Sequence, residues 1–163
     1  YGHTGSAFAK KLRGFDVKVL AYDKYKMGFG NDFIEKSTLV KIQENADVIS
    51  FHVPYSSETH HWVNANFINQ CHQKPYLINT SRGEVFKTAD VLFALQNEWI
   101  RGLGIDVYED EPPSKGIKND ASLYLELFKH PNVVATPHIA GWTKESKELL
   151  ATVLIEKIRK LFL

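Results

Sequence analysis

Five short apolar runs, at 16–23, 47–53, 76–80, 102–107 and 132–136, punctuate a chain whose intervening stretches carry apolar residues at helical spacing. Runs that are apolar on both faces belong in a parallel sheet covered on two sides. Proline stops the second run at Pro54, and Pro75 ends the link into the third. Between the strands, Ala7 to Arg13 reads as a helix closed by Gly14, and a polar, glycine-bearing loop occupies 24–36. Ser37 is the expected N-cap of a helix over 38–45, and Asn64 that of a helix through Cys71. Thr88 is expected to cap a helix from Ala89 to Asn97, where Val91, Leu92 and Leu95 share one face. The longest loop, 108–121, is acidic and proline-containing, and rises into an apolar helix from Leu123 to Phe128. Leu149, Leu150, Val153, Leu154, Ile158 and Leu161 then mark a helix within 143–162. Strands alternating with helices predict an α/β fold with a doubly wound, Rossmann-like parallel sheet.

The 163 residues fit one domain with a full core. A net charge of +1 gives no reason to expect nucleic acid or an anionic membrane as partner. No apolar stretch approaches the ~20 residues that cross a bilayer. The lone Cys71 reads as a small buried side chain in a reducing compartment, and the expected location is the cytoplasm.

Three of the strands end in chemistry. Arg82 follows the third run in Asn79-Thr80-Ser81-Arg82-Gly83, and Glu111 follows the fourth in Glu109-Asp110-Glu111-Pro112. His138 follows the fifth in Thr136-Pro137-His138-Ile139-Ala140-Gly141. In an open parallel sheet these exits converge on one crevice, where ligands bind. The Arg82 guanidinium offers a planar fork that matches a carboxylate and polarises a keto oxygen. The His138 imidazole suits proton exchange near neutral pH, and a carboxylate at Glu111 would orient it and stabilise its charged form. His60 and His61 lie in a polar loop without an acidic or thiolate partner at metal spacing, so no metal is expected.

The other end of the crevice is written in Gly2-His3-Thr4-Gly5, the last four positions of Gly-x-Gly-x-x-Gly. Gly2 lets the backbone approach a pyrophosphate, and Gly5 lets the following helix pack on the sheet. Asp23 ends the next strand, 18 residues after Gly5, where a ribose-binding acid is expected. A carboxylate there accepts ribose hydroxyls and repels a 2′-phosphate, which favours NAD over NADP. Lys24 and Lys26 stand near enough to soften that exclusion.

These motifs in this order resemble the nucleotide-binding domain of the D-isomer-specific 2-hydroxyacid dehydrogenases. The match takes in Gly2 to Gly5, Asp23, His52-Val53-Pro54, Asn79 to Gly83, Asp106-Val107, Glu111-Pro112 and Pro137 to Gly141. Pro137 to Thr143 and Ala7 to Asp16 look most like phosphoglycerate dehydrogenase-type members. The resemblance implies an NAD-dependent oxidoreductase moving a hydride to or from C2 of a D-2-hydroxy acid, with 3-phosphoglycerate the first substrate to test. It assigns catalysis to Arg82, Glu111 and His138. It places backbone N–H groups of His3 and Thr4 on the pyrophosphate, Val53 and Thr80 beside the nicotinamide, Asp106 at the carboxamide, and His52 in the cleft wall. It also implies a small 2-hydroxy or 2-keto acid as partner and a homo-oligomer, dimer or tetramer, for the full-length protein.

The chain departs from the family at Thr4, where an aliphatic residue is usual, and at Phe86-Lys87. The strand before the glycine loop, central in the 3-2-1-4-5-6 order, and the first glycine do not appear in it. The expectation is therefore an NAD-binding domain fragment over 1–163, its substrate domain encoded mostly upstream. A nucleotide-sensing corepressor is the alternative from another class. Formate dehydrogenase, which resembles this family, has Gln where Glu111 stands here.

Overall fold

The computed structural model describes residues 1–109 and 121–162. Helix α1 (His3–Lys11) begins at the glycine loop and tightens into a 3-10 turn, Leu12–Gly14. Strands β1 (Val19–Ala21) and β2 (Ile34–Lys36) precede α2 (Leu39–Asn45). There follow β3 (Val48–Phe51), α3 (Ala65–Asn69), β4 (Tyr76–Asn79) and α4 (Thr88–Gln96). The chain then runs through β5 (Gly102–Ile105), α5 (Ala121–Lys129), β6 (Val133–Ala135) and α6 (Lys144–Phe162).

All strand pairs are parallel. β3, β4, β5 and β6 form one sheet in that order, and β1 pairs with β2 in a second. Each crossover within the larger sheet carries a helix, and the core lies between: Val63, Leu77, Val85, Phe86 and Leu127 are essentially inaccessible. Leu20 and Tyr22 pack against this core, so the smaller sheet leans on the larger one without strand hydrogen bonds to it.

Several local expectations are corrected. The segment 24–36 was expected to be loop throughout, yet its last three residues form β2 beside β1, anchored by the buried Ile34. Without the strand before the glycine loop, strands 16–23 and 47–53 are both expected to lose their bridge to the rest of the sheet; 16–23 does stand apart, in the smaller sheet, but 47–53 does not. It pairs directly with β4, from Val48 opposite Tyr76 to Phe51 opposite Asn79, and the break falls between β1 and β3. Thr38, not Ser37, caps α2, its hydroxyl accepting from the Lys41 amide at 3.2 Å. Thr88 is the first residue of α4 rather than its cap; Lys87 holds the cap position without a side-chain bond. Asn64 caps α3 as expected. The unusual Phe86 is absorbed by the core, edge-on to Phe51 at 5.0 Å between ring centroids.

Register decides where the chemistry emerges. Phe51, Asn79, Ile105 and Ala135 are successive partners across the four strands, one row at the carboxyl edge of the sheet. Everything just beyond that row leaves the same edge: 52–53, 80–83, 106–109 and 136–138.

Candidate active site

Beyond β4 the chain turns on Asn79, which is fully buried. Its carboxamide oxygen accepts from the Ser81 amide at 3.0 Å and the Ser81 hydroxyl at 2.8 Å, while its nitrogen donates to the Arg82 carbonyl at 3.0 Å. The turn is thereby closed on itself, and Arg82 projects from it into solvent. Its guanidinium bonds only the neighbouring Ser81 carbonyl, at 2.6 Å, and has no carboxylate partner among the described residues. Gly83 packs directly on the β5 exit: a Cβ there would fall 1.9 Å from the Tyr108 carbonyl, so no other residue fits.

His138 is held differently. Thr136 to Ala140 form a turn in which His138 takes a left-handed conformation, φ 55°. Asp106, buried at the end of β5, binds this turn with both oxygens. Oδ1 accepts from the Thr136 hydroxyl at 2.5 Å and the Ile139 amide at 2.9 Å; Oδ2 accepts from the Ala140 amide at 2.9 Å. Burial works to raise the Asp106 pKa, but these bonds and the nearby His138 outweigh it and hold the carboxyl below the usual range. The Tyr108 hydroxyl adds a bond to the Thr136 carbonyl at 2.6 Å. Asp106, expected at the nicotinamide, thus faces the turn that carries the imidazole. Glu111 lies outside the described residues.

At the opposite end, α1 starts from Gly2 in extended conformation with no side-chain cap and no acid in its first turn. Open N–H groups and the positive end of the helix dipole suit a pyrophosphate. Open space surrounds the Cα of Gly2, whereas a Cβ on Gly5 would meet His52 Cβ at 3.2 Å. His3 and Thr4 are exposed at this terminus. His52 also bonds the Ser50 hydroxyl through Nε2 at 3.0 Å, and burial lowers its pKa. Asp23 closes a turn, its Oδ1 accepting from the amides of Tyr25 and Lys26, while Oδ2 lies 2.7 Å from the amino group of Tyr1. These residues fit a dinucleotide: an open helix terminus, close backbone approach and an ionised acid after β1. Val53 is half-buried and Thr80 exposed, two residues and one residue beyond the shared row.

Residues 1–140 match the family described as D-isomer specific 2-hydroxyacid dehydrogenase, NAD binding domain. The chain belongs to this family. It is 35% identical over 163 residues to a glyoxylate reductase of Thermococcus litoralis, covering 97% of this chain and 46% of that protein. A crystal structure of D-lactate dehydrogenase from Aquifex aeolicus complexed with NAD and lactic acid superposes with a TM-score of 0.82 at 36% identity, over 96% of this chain and 50% of that one. An NADPH-dependent glyoxylate/hydroxypyruvate reductase of Sinorhizobium meliloti, solved with NADP and malonate, gives 0.80 at 30% identity, over 99% and 47%. The chain therefore spans about half the length of these dehydrogenases.

Sequence reasoning missed four residues that shape the site: Asn79, Tyr108, Glu109 and His61. Asn79 opens the Asn79-Thr80-Ser81-Arg82-Gly83 segment, and its position before a turn is the available signal. The sequence offers His60 and His61 no acidic or thiolate partner at metal spacing, but the fold brings His61 a carboxylate. Its Nε2 lies 2.6 Å from Glu109 Oε1, 48 residues away, and Glu109 Oε2 accepts from the Thr88 amide at 2.7 Å. No group of three potential metal ligands occurs among the described residues. Cys71 is buried, and burial pushes its thiol up to about 11, as suits an inert side chain.

Proposed function

We propose that this chain supplies the cofactor-binding and proton-transfer half of an NAD-dependent oxidoreductase of D-2-hydroxy acids and their 2-keto counterparts. The observation that carries this reading is the common row at the sheet edge, beyond which Arg82 leaves β4 and His138 leaves β6, on either side of β5, toward the edge that also carries His52 against Gly5 of the glycine loop. The bound nicotinamide supplies the site at which hydride is accepted or donated. Arg82 holds the substrate carboxylate in its guanidinium fork and draws charge from the C2 oxygen. His138 removes the C2 hydroxyl proton in oxidation and returns it in reduction, and Glu111 orients the ring and stabilises its charged form. The substrate domain, in this reading, lies outside these 163 residues, which span about half the length of the relatives.

The relatives' names favour short substrates, glyoxylate and D-lactate among them. A panel for the full-length protein thus contains glyoxylate, pyruvate and hydroxypyruvate for reduction, with D-lactate and 3-phosphoglycerate for oxidation. Turnover followed by nicotinamide absorbance should fall about 10²–10⁴-fold in His138→Ala. Arg82→Ala should raise KM for the acid, with NAD affinity retained in both variants. Unchanged turnover in His138→Ala would sink the mechanism.

A further inference from the structure

The ribose end of the cofactor site holds more charge than Asp23. Lys24 and Lys26 follow it, and Glu58 arrives from the loop after β3. Glu58 Oε1 accepts from Lys24 Nζ at 2.8 Å, and its other oxygen accepts from the Tyr25 hydroxyl. Lys26 turns the other way, its Nζ 3.4 Å from the Tyr1 carbonyl and 5.5 Å from the centre of the Tyr1 ring. The loop carrying Glu58 is braced from within. Thr59 Oγ1 accepts from the Ser56 amide and donates to the Pro54 carbonyl, both at 2.8 Å, and the His60 amide reaches Ser56 at 2.9 Å. The carboxylate therefore stands at a defined tip facing the β1 exit.

A 2′-phosphate on the adenosine ribose adds about two negative charges beside Asp23. Such a ligand needs an uncommitted cation within a few ångströms. The two acids and two lysines here sum to no net charge, and the lysine that directly follows Asp23 is already matched by Glu58. We infer that Glu58 is a specificity-determining residue of the cofactor site: by pairing with Lys24 across the cleft mouth, it withholds the cation that a 2′-phosphate requires. The inference rests on reading Asp23 as the ribose acid. The Sinorhizobium meliloti relative solved with NADP has the same fold, so the discrimination belongs to side chains rather than to the backbone frame. Lys24 and Glu58 are about half exposed, so the effect is modest and sensitive to salt.

The test measures dissociation constants of NAD and NADP by titration calorimetry at low salt. It compares the full-length protein with Glu58→Gln and with Glu58→Gln/Lys24→Gln. The ratio of the NADP to the NAD constant should fall about three- to tenfold in Glu58→Gln, return in the double variant, and shrink in response as salt is raised. An unchanged ratio in Glu58→Gln, or a gain that survives loss of Lys24, overturns the inference. A wild-type protein that binds neither nucleotide overturns the site assignment and this inference together. One that binds NAD but turns over no 2-hydroxy acid overturns only the functional reading, because the ratio is read from binding.

Discussion

His138 occupies a backbone conformation that a β-carbon makes costly by about 1 kcal/mol or more, and a buried carboxylate at the end of the adjacent strand, Asp106 after β5, binds the turn that adopts it. Three donors of the 136–140 turn converge on Asp106. Bonds to a charged acceptor contribute about 1.5–3 kcal/mol each at most, and replacing the acceptor leaves three part-buried donors without it. Asp106→Ala should therefore cost about 2–3 kcal/mol of stability and lower turnover more than it lowers NAD affinity, since His138 loses its fixed direction. Chemical denaturation and calorimetric titration separate the two effects. The sign of the pH dependence follows from the depressed pKa. A carboxyl whose folded value lies below its unfolded value contributes fully above the unfolded value, about 3.9, and loses that contribution as pH falls through the folded one. Stability measured from pH 5 downward should thus decline less steeply in Asp106→Asn than in the wild type. The placement of Arg82 and His138 at the carboxyl edge of one sheet could be read from their positions after apolar runs. The role of Asp106 could not, because sequence places a strand-end acid in the crevice without saying which neighbouring turn its oxygens satisfy.

The start of α4 illustrates how an element can be right and its cap wrong. Thr88 had the chemistry of a cap and a helix behind it, yet the helix begins one residue earlier than that role allows. The carboxylate that serves its first turn is Glu109, 21 residues downstream, bonded to the Thr88 amide and simultaneously to His61. A tertiary cap of this kind is invisible to local spacing. The same arrangement ties three segments together. His61 donates its amide to the Glu84 carbonyl at 2.7 Å, Val63 and Phe86 form a parallel bridge, and Gly83 rests on Tyr108. The Arg82 turn is consequently clamped between the 61–63 segment and the β5 exit. A double-mutant cycle on His61→Ala and Glu109→Ala should return a coupling of about 1 kcal/mol, because the pair is partly buried and shares a helix terminus. A coupling near zero would mean that each side chain acts alone. β2 escaped sequence reading for a different reason: three residues with one buried position, Ile34, give too short an alternation to stand out from a polar loop.

At the scale of the molecule, α6 is the longest described helix and has no buried residue. Its apolar stripe was legible in the sequence, but none of its described residues is buried: Leu150 is 70% and Leu154 59% exposed. A stripe of this size stays uncovered only where its partner lies elsewhere, since contiguous exposed apolar surface marks an interaction site. The dehydrogenases that this chain matches are about twice as long, so the partner we propose is the remaining half of the full-length protein. The consequence can be measured by placing the same substitutions in two backgrounds. Leu150→Gln and Leu154→Gln keep a good helix former at each position, so helix propensity changes little. In the 163-residue chain they should shift stability by no more than about 0.5 kcal/mol, as exposed positions do. In the full-length protein each should cost about 2 kcal/mol or more, as expected for a leucine removed from a packed interface. The short chain should also show no hydride transfer from D-lactate or 3-phosphoglycerate, because the cleft wall facing Arg82 and His138 is expected from that other half. Equal, small stability changes in both backgrounds would refute the docking of α6. Appreciable turnover by the short chain would instead show that one half carries a complete site.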